Sequence, residues 1–90
     1  IYIVANRKLG ALYIGVTSDL VKRISQHKQG EIKGFTTRYD CKNLVYFEMH
    51  GTMEAAILRE KQLKGGSRKQ KIALIEKSNP DWKDLYQTIL

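Results

Sequence analysis

Four side chains near the start of the sequence could together bind an anion and move a proton: Tyr2, Tyr13, Arg23 and His27. A guanidinium is always charged and binds oxyanions through a planar fork of N–H groups, whereas an imidazole exchanges protons near neutral pH. A tyrosine hydroxyl has a pKa of about 10, so it serves as a general base only where a cation or metal hydroxide lowers that pKa.

Glu60 is a fifth candidate, because it projects into the apolar face of the helix predicted after Thr52. That face consists of Met53, Ala56, Ile57 and Leu63. Burial of an unpaired carboxylate is costly, so Glu60 forms a structural salt bridge, with Arg23 as a candidate partner, binds a cation, or lies where the apolar stripe ends and reaches solvent. One carboxylate with waters and substrate phosphate oxygens is a common ligand set for Mg²⁺. We therefore take Glu60 as the metal candidate, with the salt bridge or the solvent-reaching stripe end as the alternative.

A β-hairpin is predicted to position the two tyrosines. Residues 1–5 and 11–16 are rich in β-forming side chains and are separated by "NRKLG". A register with Ile3 opposite Ile14 places Tyr2, Val4, Tyr13 and Gly15 on one face and a wholly apolar set on the other. Gly15 then lies across from Tyr2 and leaves space for its ring. The alternative is that both tyrosines are ordinary strand aromatics half covered by a helix.

The helix predicted over 19–29 follows the second strand and is capped by Thr17 or Ser18. Arg23 and His27 lie one turn apart along the edge of its apolar stripe, so both can reach the tyrosine-bearing face.

The remaining elements follow from caps, periodicity and glycines. A loop is predicted over 31–42, a strand over 43–49, helices over 53–64 and 68–77, and a short helix from Pro80 through Trp82 and Leu85. The order is β-β-α-β-α-α with a short C-terminal helix, in an α/β fold with a single domain over 1–90.

The charge favours a polyanionic partner. Sixteen Lys and Arg against nine Asp and Glu give a formal net charge of +7, so nucleic acid is the first partner to consider, with a merely solubilising basic surface as the alternative. The predicted loop contains Lys33, Arg38 and Tyr39. Positive charges next to an aromatic ring are a combination that binds a sugar-phosphate backbone.

The single cysteine, Cys41, has no disulfide partner, and with His27 and His50 it makes no four-ligand zinc set. These features indicate a reducing, cytoplasmic environment. No apolar run approaches a membrane span and no signal-peptide pattern is visible, so we expect no membrane association.

The ordered set of candidates resembles the GIY-YIG nuclease domain. "IY" at Ile1 and Tyr2 is similar to the end of the first motif, and ten residues separate Tyr2 from "YIG" at residues 13–15, which matches the second motif. Arg23 and His27 follow at the family spacing, and "REKQLK" resembles the segment that carries the metal-binding glutamate, here Glu60.

The segments "GFTTRY", "LVYFE" and "NPDWKDL" resemble small stand-alone bacterial members. The family asparagine has no counterpart at its usual place, and Asn79, the nearest candidate, is more simply a helix cap before Pro80.

The resemblance implies a three-stranded antiparallel sheet flanked by helices and a metal-dependent endonuclease that hydrolyses DNA phosphodiester bonds. Such an enzyme would be structure-selective, for branched, flapped or single-stranded DNA, or weakly sequence-specific, with a role in repair or recombination. Glu60 would hold one Mg²⁺ or Mn²⁺ and Arg23 would bind the phosphate. Tyr2 would act as general base, Tyr13 would orient water or phosphate, and His27 would relay a proton.

The resemblance also implies close backbone approach at Gly15 and phosphate contacts at Lys22, Lys28, Lys33 and Arg38. The alternative function is a catalytically inactive basic module of the same fold that binds DNA or RNA. A carboxylate on its phosphate-facing surface would repel the ligand, which argues against that alternative.

Overall fold

The computed structural model describes all residues from 1 to 90. Its three strands are β1 (Tyr2–Ala5), β2 (Leu12–Gly15) and β3 (Asn43–Phe47), which pair antiparallel in the order β2-β1-β3. Its helices are α1 (Leu20–Lys28), α2 (Phe35–Arg38), α3 (Met53–Gly65), α4 (Arg68–Ser78) and α5 (Tyr86–Ile89). The predicted α/β architecture with a three-stranded antiparallel sheet is confirmed.

The predicted hairpin register is confirmed, with Ile3 opposite Ile14 and Tyr2 opposite Gly15. Side chains alternate between the faces of the sheet, so this register determines which of them share a layer. The predicted apolar face packs with β3 and α4 in a first core of Ile3, Ala5, Ile14, Val45, Ile75 and Trp82. The tyrosine face is a second core, formed by Tyr2, Val4, Ile24, Cys41 and Leu44.

The second core means that β1 is buried on both faces. Helix α1 covers Tyr2 with Ile24 and His27, which are its two buried residues. Leu85, Tyr86 and Ile89 at the C-terminus pack against the same layer. The tyrosine face is therefore an interior layer that opens to solvent near Tyr13, which is half-buried.

Three local predictions are wrong. Asp19 caps α1, since its Oδ1 accepts the Lys22 N–H at 3.1 Å. The stretch 31–42 is not all loop, because α2 forms one turn that the Thr36 and Thr37 hydroxyls tie to the Ile32 carbonyl.

The third error is the C-terminal helix, which begins at Tyr86 rather than near Pro80. Trp82 has a φ of 55°, which interrupts any helix, and its indole N–H donates to Glu76 at 2.9 Å. None of the helices combines the length and apolar character that a bilayer crossing demands.

Gly15 is needed because the Tyr2 ring lies directly over it. A Cβ at position 15 would be 2.3 Å from Tyr2 Oη and 2.4 Å from Tyr2 Cζ. The ring cannot move aside cheaply, since Tyr2 is buried and hydrogen-bonded to His27.

We expect Gly15→Ala to destabilise the protein by about 1–3 kcal/mol, because the added methyl group overpacks the Tyr2 site. Urea unfolding followed by circular dichroism measures the change. Gly65→Ala is the matched control, since a Cβ at that position in α3 would have nothing within 4 Å, and it should be neutral or slightly stabilising. Equal stability of the two variants would contradict the close contact.

Candidate active site

Tyr2, Tyr13 and His27 come together in one cluster. Tyr2 Oη lies 2.9 Å from His27 Nε2. The ring centroid of His27 lies 5.4 Å from that of Tyr2 and 5.9 Å from that of Tyr13, and the centroids of the two tyrosines are 6.5 Å apart. Strands β1 and β2 and helix α1 each supply one member, so the cluster joins the hairpin to the first helix. Tyr13 has the most solvent access of the three.

Burial sets the protonation states of this cluster. Burial, and then the neighbouring Tyr13, raise the pKa of Tyr2; Arg23 opposes this shift and Glu60 adds to it. Burial, and then the charge of Arg23, lower the pKa of His27. Tyr2 is therefore a neutral phenol and His27 a neutral imidazole in the free protein at neutral pH. His27 Nδ1 is buried without a hydrogen-bond partner, which costs about 1–3 kcal/mol.

Arg23 lies on α1 one turn before His27, and its charge acts on both Tyr2 and His27. The basic side chains that form ion pairs in the structure do not include Arg23. They are Lys28, Lys42, His50, Arg59 and Lys64. Arg23 thus has no carboxylate partner, and the alternative of an Arg23–Glu60 salt bridge is wrong. A half-buried guanidinium in this position is available to an oxyanion.

Glu60 lies on the inner side of α3, with its side chain 18% exposed. Its carboxylate is 3.6 Å from the ammonium of Lys64, one turn along the helix. The same ammonium lies 5.6 Å from the centroid of the Tyr13 ring, which places Glu60 and Tyr13 on the same side of the molecule. Glu60 also acts electrostatically on Tyr2.

The predicted apolar face of α3 is only partly correct. Ala56 is buried and Leu63 packs on the first core, but Met53 is 42% and Ile57 37% exposed. Helix α3 lies on the sheet mainly beside β2, so its interior side is narrow and Glu60 lies at its edge.

The Glu60 carboxylate fits a single hard divalent cation. Its one ionic contact is a long pair with a half-exposed lysine on its own helix, which contributes little and is easily displaced. No group of three or more His, Cys, Asp or Glu side chains converges in the structure. Mg²⁺ is commonly held by one or two carboxylates, with waters and substrate phosphates as its other ligands.

A cluster around Glu48 was not predicted from the sequence. Glu48 accepts hydrogen bonds from Tyr46 Oη, from His50 Nε2 at 3.0 Å, and from Nε and Nη2 of Arg59 at 3.0 Å each. Burial raises the pKa of Glu48, but these hydrogen bonds, with that from Arg59 the largest contribution, lower this pKa to about 2. Burial and the bond to Glu48 raise the pKa of Tyr46 to about 12. The pairing of Arg59 fixes α3 at the residue next to Glu60.

The predicted nucleic-acid contacts divide into two groups. Lys22, Lys33, Arg38 and Tyr39 are exposed. The Lys28 ammonium binds the Lys42 carbonyl at 3.1 Å and the Asp84 carboxylate, so a phosphate contact there would compete with these bonds and stays a prediction. Gly15 is buried and leaves space for the Tyr2 ring, whereas its predicted approach to a ligand stays a prediction.

Asn79, the doubtful catalytic candidate, has a structural function. It ends α4, and its side-chain amide donates to the carbonyls of Val45 at 3.0 Å and Lys83 at 2.9 Å while accepting the Lys83 N–H. Val45 lies where the pairing of β1 with β3 shifts register, and such a bulge leaves a backbone group without a strand partner. Asn79 satisfies that group, and both the nitrogen and the oxygen of its side-chain amide are bonded within the fold.

Comparison with known proteins agrees with this geometry. The model of the GIY-YIG catalytic domain matches residues 1–73. A UPF0213 protein of Staphylococcus saprophyticus is 41% identical over 75 residues, which cover 83% of this chain and 90% of that protein. A UPF0213 protein of Haloquadratum walsbyi is 36% identical, over 73% of this chain and 74% of its own length. A UPF0213 protein of Staphylococcus aureus is 34% identical, over 74% of this chain and 82% of its own length.

No solved structure matches the chain. The matched residues include the two tyrosines, Arg23, His27 and Glu60, and they end before Asn79. From the strand register, the clustered side chains and these matches, we conclude that the chain belongs to the GIY-YIG catalytic domain family.

Proposed function

We propose that this protein is a metal-dependent endonuclease that hydrolyses phosphodiester bonds in DNA. The observation that carries the proposal is the arrangement around the Tyr2 hydroxyl, which bonds to His27 and lies within the electrostatic reach of Arg23 and Glu60. A guanidinium, a carboxylate and a proton-accepting pair are the groups that phosphodiester hydrolysis requires. Membership of a nuclease family supports the same chemistry.

Arg23 and Glu60 are the residues that counter the negative charge of the phosphate, the first directly and the second through a bound cation. The fork of the Arg23 guanidinium binds two phosphate oxygens and stabilises the negative charge that develops on them. Glu60 is the residue that would hold one Mg²⁺ or Mn²⁺, with substrate and water as the other ligands. When bound, such an ion supplies a Lewis acid for the phosphate and the leaving oxygen.

The two tyrosines and His27 orient the attacking water and transfer protons. Tyr13 is the half-buried member of the cluster, so it orients water and phosphate at the solvent side. Tyr2 lies behind it, and its hydroxyl can pass a proton to Nε2 of the neutral His27 across their 2.9 Å contact. The charge of Arg23 acts on both partners of this transfer, because it opposes the raised pKa of Tyr2 and contributes to the lowered pKa of His27.

The DNA substrate is proposed from charge. The net charge of +7 and the exposed side chains of Lys22, Lys33 and Arg38 provide phosphate contacts without a recognition helix. A surface of this kind favours weak sequence preference and structure-selective cleavage, as used in repair or recombination.

The replacement Glu60→Ala tests this function. We expect it to lower Mg²⁺- or Mn²⁺-dependent cleavage of labelled DNA by about 10³-fold or more, because metal-ion stabilisation contributes several kcal/mol to such reactions. Binding of the same DNA in EDTA should change little. Gel assays of cleavage and fluorescence anisotropy of binding measure the two quantities.

The matched control for this test is Glu54→Ala, which removes an exposed carboxylate from the first turn of the same helix. It should cleave like the parent protein. Equal loss of binding and cleavage in Glu60→Ala would refute the metal-anchor role, and metal-independent binding without cleavage by the parent would indicate the inactive module.

The neutral state of His27 has a consequence for stability. Its pKa is lowered on folding, so between that value and about 6.5 the unfolded chain binds a proton that the folded protein does not. Stability should therefore fall as the pH drops below about 6.5, with a slope of at most about 1.4 kcal/mol per pH unit for this one group.

Urea unfolding of the parent protein and of His27→Gln between about pH 7 and pH 5 isolates this effect. The glutamine can keep a hydrogen bond to Tyr2, and His50 contributes equally to both proteins, so the variant should show the shallower slope. Parallel slopes would show that His27 is not held neutral.

A further inference from the structure

Two large aromatic rings are exposed on α2, beside the candidate active site. Phe35 is 44% and Tyr39 42% exposed. Their ring centroids are 4.6 Å apart, and Phe35 stacks on Tyr13 with a centroid distance of 6.3 Å and an interplanar angle of 27°. Tyr13, Phe35 and Tyr39 therefore form a row, which we call the aromatic row, leading outward from the Tyr2–His27 pair.

The two outer rings of the aromatic row, Phe35 and Tyr39, contribute little to the core. Thr36 is the buried residue of α2, and neither Phe35 nor Tyr39 belongs to either core cluster. Full burial of a phenylalanine would stabilise the fold by about 1.5–3 kcal/mol, yet this one is left half in solvent. An exposed patch of large aromatic side chains next to a reactive site marks a binding surface more often than a defect of packing.

Positive charge surrounds the row. The Arg38 guanidinium lies 5.5 Å from the Tyr39 ring centroid, and the Lys64 ammonium 5.6 Å from that of Tyr13. A groove of about 360 Å³ runs beside Tyr13 and Phe35, and its remaining lining includes Lys64, Arg68 and Lys71. Arg68 is occupied by the hairpin carbonyls of Leu9 and Gly10.

Asp40 follows Tyr39 in the chain, and its carboxylate pairs with Lys42 at 3.0 Å. The surface therefore suits a ligand that is both flat and anionic.

We propose that the aromatic row is a base-stacking platform for unpaired nucleotides, so that single-stranded DNA is the preferred substrate. In a duplex the faces of the bases are covered by neighbouring base pairs, and only an unpaired base can lay its face on Phe35 or Tyr39. A base stacked on this row leaves its phosphate close to Tyr13, the solvent-side member of the catalytic cluster. The inference rests on the proposed function and names the substrate class of that same site.

Binding in EDTA tests the platform without cleavage. The probes are a labelled oligothymidylate, an abasic oligonucleotide with the same number of phosphates, and a duplex of the same length. We expect Phe35→Ala to weaken oligothymidylate binding about tenfold, the effect of losing one base–aromatic stack, and to leave abasic and duplex binding within about twofold. The control Leu58→Ala, which removes an exposed apolar side chain from α3, should bind all three probes like the parent protein.

Phe35→Trp gives a direct readout of stacking. Trp82, the single native tryptophan, is buried in the first core, so the new exposed indole reports on its own surroundings. We expect oligothymidylate to bind this variant with parent-like affinity and to quench its fluorescence, and the abasic probe to leave it unquenched. Equal quenching by both probes, or an equal effect of Phe35→Ala on all three, would overturn the platform.

The proposed function and the platform fail in different ways. If the platform holds and no DNA is cleaved with either metal, the stacking differences in EDTA persist and only the nuclease activity is refuted. If the protein cleaves single strands and duplexes equally and Phe35→Ala changes neither rate, the nuclease stands and the platform is refuted.

Discussion

The contact between the Tyr2 ring and the backbone of Gly15 is the constraint on which the site depends. Tyr2 lies on the central strand, and its ring extends across the hairpin because position 15 has no Cβ to fill the space. The hydroxyl therefore ends beneath α1, out of reach of bulk water, where it requires a hydrogen-bond partner. His27 supplies that partner. A single buried hydroxyl thus determines which face α1 presents to the sheet, and with it the direction of Arg23 one turn earlier.

Helix α3 is held in a different way. Ala56 is its one buried residue, and three of its larger apolar side chains are substantially exposed, so apolar packing alone orients it poorly. The two-point bond from Arg59 to Glu48 at the end of β3 provides the missing restraint. A polar anchor has an advantage here, because it fixes the backbone at residue 59 while leaving the neighbouring Glu60 at the half-buried edge, where a carboxylate can meet a cation and a substrate.

The parts of the site that the sequence predicted are those with short-range periodicity. The period of two in the hairpin brought Tyr2 and Tyr13 to one face, and the helical period placed Arg23 with His27. The bond between Glu48 and Arg59 escaped prediction, since 16 basic and 9 acidic residues allow many pairings and no local pattern selects one. The one-turn helix α2 was missed for a related reason, because four residues are too few to establish a period.

Long-range contacts also explain why the bonds of Lys28 were not predicted from the sequence and why the site opens where it does. Lys28 binds Asp84, 56 residues away, and Asp84 in turn accepts the Leu44 N–H while the Leu85 N–H donates to the Leu44 carbonyl. The C-terminal segment therefore covers the outer edge of β3, the position at which an unprotected strand would pair with another chain. Both faces of the sheet are buried as well, so the side of β2 that carries Tyr13 is the one left for a ligand. Lys28 lies on the closed edge, whereas the aromatic row lies beside the open one together with Lys64 and Arg68. This division of edges sets the direction from which the proposed DNA strand would approach Tyr13.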